Sequence, residues 1–320
     1  MKTIMTVQGP VCPEELGFCQ CHEHLAISKG TSWEKSPVLL IDDLEKSTQE
    51  AARLMKSGGG TVVDAQPGGC NRIEKNLLAI SKKTGLNIVA STGFHKLCFY
   101  PEGHWLFTLS EDELRGIFIH ELTAGMFSNI DTEFHSDCSS IRAGIVKMAL
   151  DTEGLTPIYR KLFAAGAEAA RAADVPVMVH IEQGSDPIAL FHFLKERRVP
   201  PKRMIFCHMD RAIPDLEIHK QLLAEGIFLE YDTIGRFKYH SDLREIEIFQ
   251  TMLSEGFGDQ LLFSLDTTRA RLKSYEEQAI GLDYLFTSFL PLMRHCGIAE
   301  GQIEKISHSN FVRVFTDDPV

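Results

Sequence analysis

Leu16-Gly17-Phe18-Cys19-Gln20-Cys21-His22-Glu23-His24-Leu25 is the stretch that most strongly constrains the fold of this 320-residue chain. Its two histidines, His22 and His24, are two residues apart, and on an extended segment such side chains project from the same face. Two imidazoles on one face can bind the same divalent cation. Cys19 and Cys21 have the opposite parity, so we expect them to pack in the barrel wall rather than to bind metal.

Four polar residues later in the chain strengthen this interpretation, because each of them ends a short apolar run. They are Lys147, His180, His208 and Asp266. Imidazole nitrogens and carboxylate oxygens are common ligands of zinc and similar cations. The pattern therefore predicts that these side chains meet His22 and His24 in one metal site.

Lys147 is the unusual member of this set. It follows Ala143-Gly-Ile-Val146, and a charged ammonium group is costly to bury in such surroundings. The lysine is therefore ion-paired, or extends to solvent, or has a neutral amine that can capture carbon dioxide as a carbamate. The residues alone leave these three alternatives open.

Three charged residues near the predicted strand ends are weaker candidates. We expect Asp64 to accept hydrogen bonds rather than to bind metal. Asp210 and Arg211 follow His208 directly, and they either orient this histidine or form a salt bridge within the loop.

Eight short β-rich runs alternate with amphipathic helical patterns along the whole chain. The predicted strands are Gly17–Cys21, Thr61–Ala65, Asn87–Thr92, Arg142–Met148, Val177–Ile181, Met204–Cys207, Ile227–Tyr231 and Leu261–Leu265. Alternating strands and helices require parallel strands with crossover connections. Eight such units predict an α/β fold of the (β/α)8 TIM-barrel type, with its site at the C-terminal ends of the strands. An open doubly wound sheet is the alternative, but it would place its ligand at one switch point.

Composition and charge narrow the class of protein further. No linker-like segment divides the sequence, which predicts a single domain over residues 1–320. The 33 basic and 44 acidic residues give a net charge of −11, which argues against nucleic acid or an anionic membrane surface as partner. The eight cysteines contain no Cys-x-x-Cys pair and no apolar stretch is long enough for a membrane span, so we expect a cytoplasmic protein.

Seven segments, which occur in the expected order along nearly the whole chain, carry a family resemblance. They are Thr6-Val-Gln-Gly-Pro10, Cys21-His-Glu-His-Leu25, Ile141-Arg-Ala-Gly-Ile-Val-Lys147, Leu155-Thr-Pro157, Asp174-Val-Pro-Val-Met-Val-His180, Met204-Ile-Phe-Cys-His208 and Ile306-Ser-His-Ser-Asn310. With these segments the chain resembles the phosphotriesterase family of the amidohydrolase superfamily, in particular its lactonase branch.

This resemblance implies a centre of two divalent cations, zinc in the first place and manganese or cobalt as alternatives. A carbamylated Lys147 and a hydroxide would bridge them. The remaining ligands would be His22, His24 and Asp266 for the more buried cation, and His180 and His208 for the more exposed one. Asp266 would also act as catalytic residue by accepting the proton of the hydroxide. The resemblance implies a homodimer as well, although no stripe in the sequence supports it.

Basic side chains cluster in the loops that follow the seventh and eighth predicted strands. These are Arg236 and Lys238 in the first loop and Arg269 and Arg271 in the second. Such loops often bind phosphate in barrels of this type, and guanidinium groups suit phosphate geometry. A charged loop in contact with solvent is the alternative explanation. The loop after the third strand offers further candidates for substrate contacts, which are His95, Lys96 and Tyr100.

These features lead to a functional hypothesis about a small anionic substrate. We expect a metal-dependent hydrolase that opens a sugar-acid lactone, in particular a phosphorylated aldono-1,4-lactone, by attack of the bridging hydroxide. The alternatives are a phosphotriesterase or other phosphoesterase and a lactonase for unphosphorylated substrates, because fold alone does not choose between them. A non-catalytic small-molecule binding protein is the remaining alternative.

Overall fold

The computed structural model describes residues 2–316, and these residues build a nearly closed barrel of eight parallel strands. An antiparallel hairpin precedes the barrel, and each barrel strand pairs with the next one along the chain. The strands are β1 (Ile4–Thr6), β2 (Gly9–Val11), β3 (Phe18–Glu23), β4 (Gly59–Asp64), β5 (Asn87–Gly93), β6 (Ile145–Leu150), β7 (Val177–Ile181), β8 (Met204–Cys207), β9 (Phe228–Tyr231) and β10 (Leu261–Phe263). The predicted (β/α)8 barrel is confirmed. The predicted domain also includes Met1 and residues 317–320, which lie outside the described residues.

Helices fill the connections between the strands and cover the outer face of the sheet. They are α1 (Thr31–Lys35), α2 (Leu44–Ser57), α3 (Glu74–Thr84), α4 (Trp105–Thr108), α5 (Glu111–Thr123), α6 (Pro157–Ala173), α7 (Pro187–Glu196), α8 (Met209–Ala212), α9 (Leu216–Ala224), α10 (Asp242–Ser254), α11 (Leu290–His295), α12 (Glu300–Glu304) and α13 (Asn310–Thr316). Local signals set their ends. Asp43 caps two backbone amides of α2, Gly58 ends that helix in a left-handed conformation, and Ser110 and Glu113 form a capping box at α5. Within residues 2–316, no helix is both long and apolar enough to cross a membrane.

The barrel closes between its first and last strands mainly through one side chain. The Glu23 carboxylate accepts hydrogen bonds from the backbone amides of Leu265 (2.9 Å) and Thr267 (3.1 Å) and from the Thr267 hydroxyl (2.7 Å). The backbone amide of Asp266 donates to the carbonyl of His22 at 3.0 Å. These bonds replace a regular ladder between β3 and β10 and bring the residues after the two strands together.

Inside the barrel, a compact set of side chains forms a cluster of its own, distinct from the packing between sheet and helices. Its members on the barrel strands are Cys19, Cys21, Val63, Val89, Ile145, Met178, Ile205, Cys207, Phe228 and Leu262. Cys19 and Cys21 are buried packing residues, as expected, but they point into the barrel rather than into its wall. The parity argument was wrong because the pairing of β3 with β4 shifts register between Gln20 and Glu23.

Several strand limits differ from the prediction. Lys147 is the third residue of β6 rather than a residue near its end, because this strand begins at Ile145 and not at Arg142. Strand β10 stops at Phe263, since the amide of Leu265 bonds to the Glu23 side chain instead of to a neighbouring strand. The hairpin of β1 and β2 was not predicted.

A buried ion pair fastens the segment after β5 to the barrel. Arg72 donates to the Glu121 carboxylate of α5 at 2.7 Å and to the backbone carbonyls of Ser91 and Phe127, both at 3.1 Å. Glu121 also accepts from the Thr92 hydroxyl at 2.5 Å. The side chains of Arg72 and Glu121 are 1% and 2% exposed, so this pair is removed from solvent and satisfied by several hydrogen bonds.

We predict that Glu121→Ala lowers the free energy of unfolding by about 3–5 kcal/mol, because it leaves the guanidinium of Arg72 buried without its carboxylate. Denaturant unfolding followed by circular dichroism measures the change. Glu111→Ala is the matched control on the same helix, since its pair with Arg197 is exposed to solvent and contributes at most about 1 kcal/mol. Equal stability of the two variants would contradict a structural role for the buried pair.

Candidate metal centre

The six residues predicted to bind metal meet at the C-terminal end of the barrel. His22 and His180 lie near the ends of β3 and β7, Lys147 is inside β6, and the other three follow β3, β8 and β10 directly or closely. The ring centroids of His22 and His208 are 4.9 Å apart, and those of His180 and His208 are 4.4 Å apart. The Lys147 Nζ lies 3.4 Å from the His22 Nε2.

Burial shapes the electrostatics of the histidines in this cluster. Burial lowers the pKa of His180 to about 4 and holds the pKa of His22 and His208 well below the usual range, with further lowering by neighbouring charges. Neutral imidazole is the form that binds metal. The Nδ1 atoms of His22 and His24 are buried and have no hydrogen-bond partner. This donor set fits divalent cations such as zinc.

Lys147 is completely buried. Two of the three alternatives for it are therefore not observed, because its amine does not reach solvent and no carboxylate of residues 2–316 forms an ion pair with it. Its Nζ faces the imidazole of His22 instead. This environment fits the third alternative, in which the amine is modified to a metal-binding carbamate.

The two carboxylate oxygens of Asp266 face different partners. Oδ1 lies 3.7 Å from the Nε2 of His22 and 3.5 Å from that of His24. Oδ2 accepts from Arg211 at 3.2 Å and pairs with Arg236 at 2.8 Å. Burial by itself raises the pKa of Asp266, but the charge of Arg236 and the hydrogen bond from His24 outweigh it and hold the pKa well below the usual range. Asp266 is therefore an ionised carboxylate with one oxygen directed at the histidines.

Asp232 orients His208 and was not recognised from the sequence. Its Oδ1 is 2.7 Å from the His208 Nδ1, and its Oδ2 accepts from the backbone amide of His208 at 3.1 Å. The Nε2 of this ring is thereby left free for a cation. Asp232 follows β9 directly, so it carried the same signal as the other residues at strand ends.

The side chains of Asp210 and Arg211 do not form hydrogen bonds with the His208 imidazole. Arg211 contacts Asp232 and Asp266, and its positive charge helps to lower the pKa of His208. Asp210 accepts from the backbone amide of Thr233 at 2.7 Å. Asp64 accepts from the amides of Leu25 and Gln66, in agreement with the expected hydrogen-bonding role.

A cleft of about 320 Å³ opens above the cluster. Four of the seven predicted substrate-binding residues line it, namely His95, Lys96, Arg236 and Lys238. Lys96 is engaged by Glu182, with 2.6 Å between its Nζ and the Oε2 of that carboxylate, and Arg236 is engaged by Asp266. Lys238 is exposed and has no ion-pair partner within residues 2–316. It is therefore the cation of the cleft that is most available to a ligand.

Three predicted substrate-binding residues are not brought to the cleft. Tyr100 is buried and accepts a hydrogen bond from the backbone amide of His95, so it supports the loop instead. The guanidinium of Arg269 lies over the ring of Tyr275 at 5.0 Å and is not part of the cleft lining. Arg271 donates to the carbonyl of Ile234 at 2.6 Å and holds the two loops together.

The sequence reasoning also missed residues that complete the cleft wall. These are Ser36, Val38, Leu39, Gln66, Phe99, Glu182, Arg211, Tyr239 and Thr268. Most of them lie in loops whose course depends on long-range packing, and only Arg211 had been considered from the sequence. Glu182 contacts both His180 (3.3 Å) and Lys96, which connects the cluster to the loop after β5.

Comparison with known proteins places this geometry in a family. A phospho-furanose lactonase from Mycoplasmopsis agalactiae is 26% identical over 318 residues, which are 97% of this chain and 90% of that protein. A lactonase structure from Listeria monocytogenes superposes with a TM-score of 0.89 at 28% identity and covers 99% of this chain and 100% of that one. An amidohydrolase structure from Mycoplasma synoviae gives a TM-score of 0.90 at 26% identity, with coverage of 100% and 93%.

The match to the family as a whole agrees with these individual relatives. Residues 2–315 match the family model described as the Phosphotriesterase family. The eight-stranded barrel is the fold that the sequence resemblance predicts. The chain therefore belongs to the phosphotriesterase family of hydrolases.

Proposed function

We propose that this hydrolase opens the lactone ring of a phosphorylated sugar acid. One observation carries the proposal: five of the six cluster residues, all except Lys147, line a cleft that Lys238 also lines, and this lysine has no ion-pair partner among residues 2–316. A lactone carbonyl at the cluster and a phosphate at this lysine would use both features. The names of the relatives, phospho-furanose lactonase and lactonase, support the same substrate class.

The cluster divides into two groups of ligands in this proposal. His22, His24 and Asp266 would hold one divalent cation, and their ligand atoms lie within 4.8 Å of one another. His180 and His208 would hold a second cation, and a carbamate on Lys147 would join the two groups. Zinc fits these donors best, with manganese or cobalt as alternatives. When bound, two such cations lower the pKa of a shared water and polarise the carbonyl of the substrate.

Three further roles in the proposed reaction fall to Asp232, Asp266 and Lys238. Asp232 holds the His208 ring in place through its Nδ1, which keeps the Nε2 directed at the centre. Asp266 is the proposed proton acceptor, because it is ionised and its Oδ1 faces the histidines. Lys238 would bind the phosphate of the substrate at the rim of the cleft.

The role of Lys147 leads to a prediction about metal content. Lys147→Ala should lose most of about two bound divalent ions per chain and nearly all activity, because the bridging group is removed. Added short carboxylic acids should restore part of the activity, and Lys147→Glu should retain some metal. Elemental analysis and lactone hydrolysis measure both effects. Lys195→Ala, an exposed lysine on α7, is the control; full metal content and normal rate in Lys147→Ala would disprove the bridging role.

The proton-accepting role of Asp266 leads to a second prediction. Asp266→Asn keeps an oxygen ligand of similar size but cannot accept a proton, so kcat should fall by roughly 10²–10⁴-fold while much of the metal remains. The pH dependence of kcat should change in the same variant, because the ionisation of this carboxylate no longer contributes. A pH–rate profile identical to that of the wild type would remove Asp266 as the proton acceptor.

The third prediction tests the substrate class. Lys238→Ala removes a charge-assisted contact of roughly 1.5–3 kcal/mol, so kcat/KM for a phosphorylated aldono-1,4-lactone should drop about ten- to a hundredfold. The same lactone without phosphate should be hydrolysed at nearly the wild-type rate by this variant. Arg269→Ala is the matched control, since Arg269 is not part of the cleft lining, and it should treat both substrates as the wild type does.

Two results would favour the alternative functions. If the wild type prefers the unphosphorylated lactone, the enzyme is a simple lactonase. If it hydrolyses phosphate esters but none of a panel of four- and five-carbon aldonolactones, it is a phosphoesterase. The expected homodimer and the cytoplasmic location stay predictions.

A further inference from the structure

A second group of potential metal ligands lies beside the catalytic cluster. It consists of Asp210 in α8, His240 in the loop between β9 and α10, and Glu245 in the first turn of α10. One ligand atom from each of the three residues lies within 4.8 Å of the others. None of the three belongs to the six-residue cluster, and none lines the cleft among the described residues. The family's catalytic centre therefore does not account for them.

The unsatisfied polar atoms in this group point to a missing positive charge. Glu245 is 0% exposed, and neither of its carboxylate oxygens has a hydrogen-bond partner. The Oδ1 of Asp210 and the Nε2 of His240 are also buried without a partner. Buried polar atoms are nearly always satisfied, and a buried carboxylate without a partner is costly. A cation in this place would keep Glu245 ionised, whereas burial and the charge of Asp210 by themselves raise the pKa of this carboxyl well above its usual range.

The hydrogen bonding of His240 defines the orientation of its free nitrogen. Its Nδ1 lies 3.2 Å from the backbone carbonyl of Ser241, so this nitrogen carries a proton. In the neutral ring, the Nε2 then has a free lone pair. The Nε2 lies 3.2 Å from the Oε2 of Glu245 and 3.9 Å from the Oδ2 of Asp210. Three electron-rich atoms in such proximity repel one another unless a proton or a metal cation lies between them.

We propose that Asp210, His240 and Glu245 form a third divalent-cation site in this enzyme. Two carboxylates and one neutral imidazole balance the charge of a divalent cation, and they are the donor types that zinc and manganese bind. With three protein ligands, one further coordination position is open to water. The side chain of His240 is 15% exposed, which gives the site access to solvent.

A cation at this site would have a structural role, because its ligands lie at both ends of a loop that lines the cleft. Its three ligands connect α8, the loop after β9 and the first turn of α10. The same loop carries Arg236, Lys238 and Tyr239 to the cleft. A cation at the third site would fix the ends of this loop and thereby the position of its cleft-lining side chains. This task rests on the proposed function only in so far as the loop contacts substrate.

The experiment counts zinc rather than activity. Chelator-treated wild-type protein is saturated with Zn²⁺ and desalted, and bound zinc per chain is measured by elemental analysis. Glu245→Gln and His240→Ala should each bind about one zinc fewer than the wild type, because each removes a ligand of the third site. Zn²⁺ should also raise the Tm of the wild type more than that of either variant.

Matched controls and a second background make the result unambiguous. Glu247→Gln on the exposed face of α10 and His192→Ala on α7 should bind as much zinc as the wild type. In the Lys147→Ala background, which weakens the catalytic centre, the remaining zinc should disappear on addition of His240→Ala. The difference between variant and parent does not depend on how much metal the catalytic centre holds, so the two proposals fail independently.

One outcome overturns the proposal. If both folded variants bind the same amount of zinc as the wild type and show the same rise in Tm, no cation occupies this group. Should Glu245→Gln fail to fold, the partly exposed His240→Ala still decides the question. Circular dichroism identifies which variants are folded.

Discussion

The hydrogen bonding of one buried carboxylate, that of Glu23, is the interaction on which the rest of the structure depends. It accepts from the amides of Leu265 and Thr267 and from the Thr267 hydroxyl, where a regular ladder would otherwise close the barrel. Burying a carboxylate costs free energy, and the three donors offset only part of that cost, since burial raises the pKa of Glu23 to about 8. Because Glu23 lies between His22 and His24, the contact that closes the barrel also fixes both histidines beside Asp266. The closure of the barrel and the position of the two histidines therefore depend on the same hydrogen bonds of Glu23.

Near Glu23, the charged side chains of the centre contact one another in succession. Asp266 directs one oxygen to the histidines and the other to Arg211 and Arg236. Arg211 also contacts Asp232, which in turn holds His208. Each carboxylate in this succession is compensated on one side and orients an imidazole on the other. Arg211 and Arg236 compensate the charge of Asp266, which keeps this largely buried carboxylate ionised at the end of the barrel.

Much of this arrangement could be predicted from the sequence, because most residues of the cluster follow an apolar run that forms a strand. Asp232 carried this signal too, and was overlooked although it follows its strand directly. Cys21 could not be placed, because a register shift within a strand leaves no trace in a simple alternation of residues. Arg269 shows why side-chain directions in loops could not be predicted from the sequence. Its guanidinium packs against Tyr275, and the course of the segment that carries Tyr275 depends on the whole fold. Periodicity thus predicts strands and their ends, whereas loop directions require tertiary contacts.

The backbone of two metal-cluster residues has a consequence for how such a site can evolve. His208 and Asp266 adopt positive φ angles of 64° and 48°. This conformation costs about 1–2 kcal/mol for a residue with a β-carbon, and Asn and Asp tolerate it better than most. An alanine scan of the cluster would therefore mix backbone strain with lost chemistry. Asparagine at position 208 would relieve strain but remove an imidazole, so selection for stability alone would erode the centre. Asp266 is itself a residue type that tolerates this conformation, so the strain lies mainly at His208, where an imidazole of the cluster is retained.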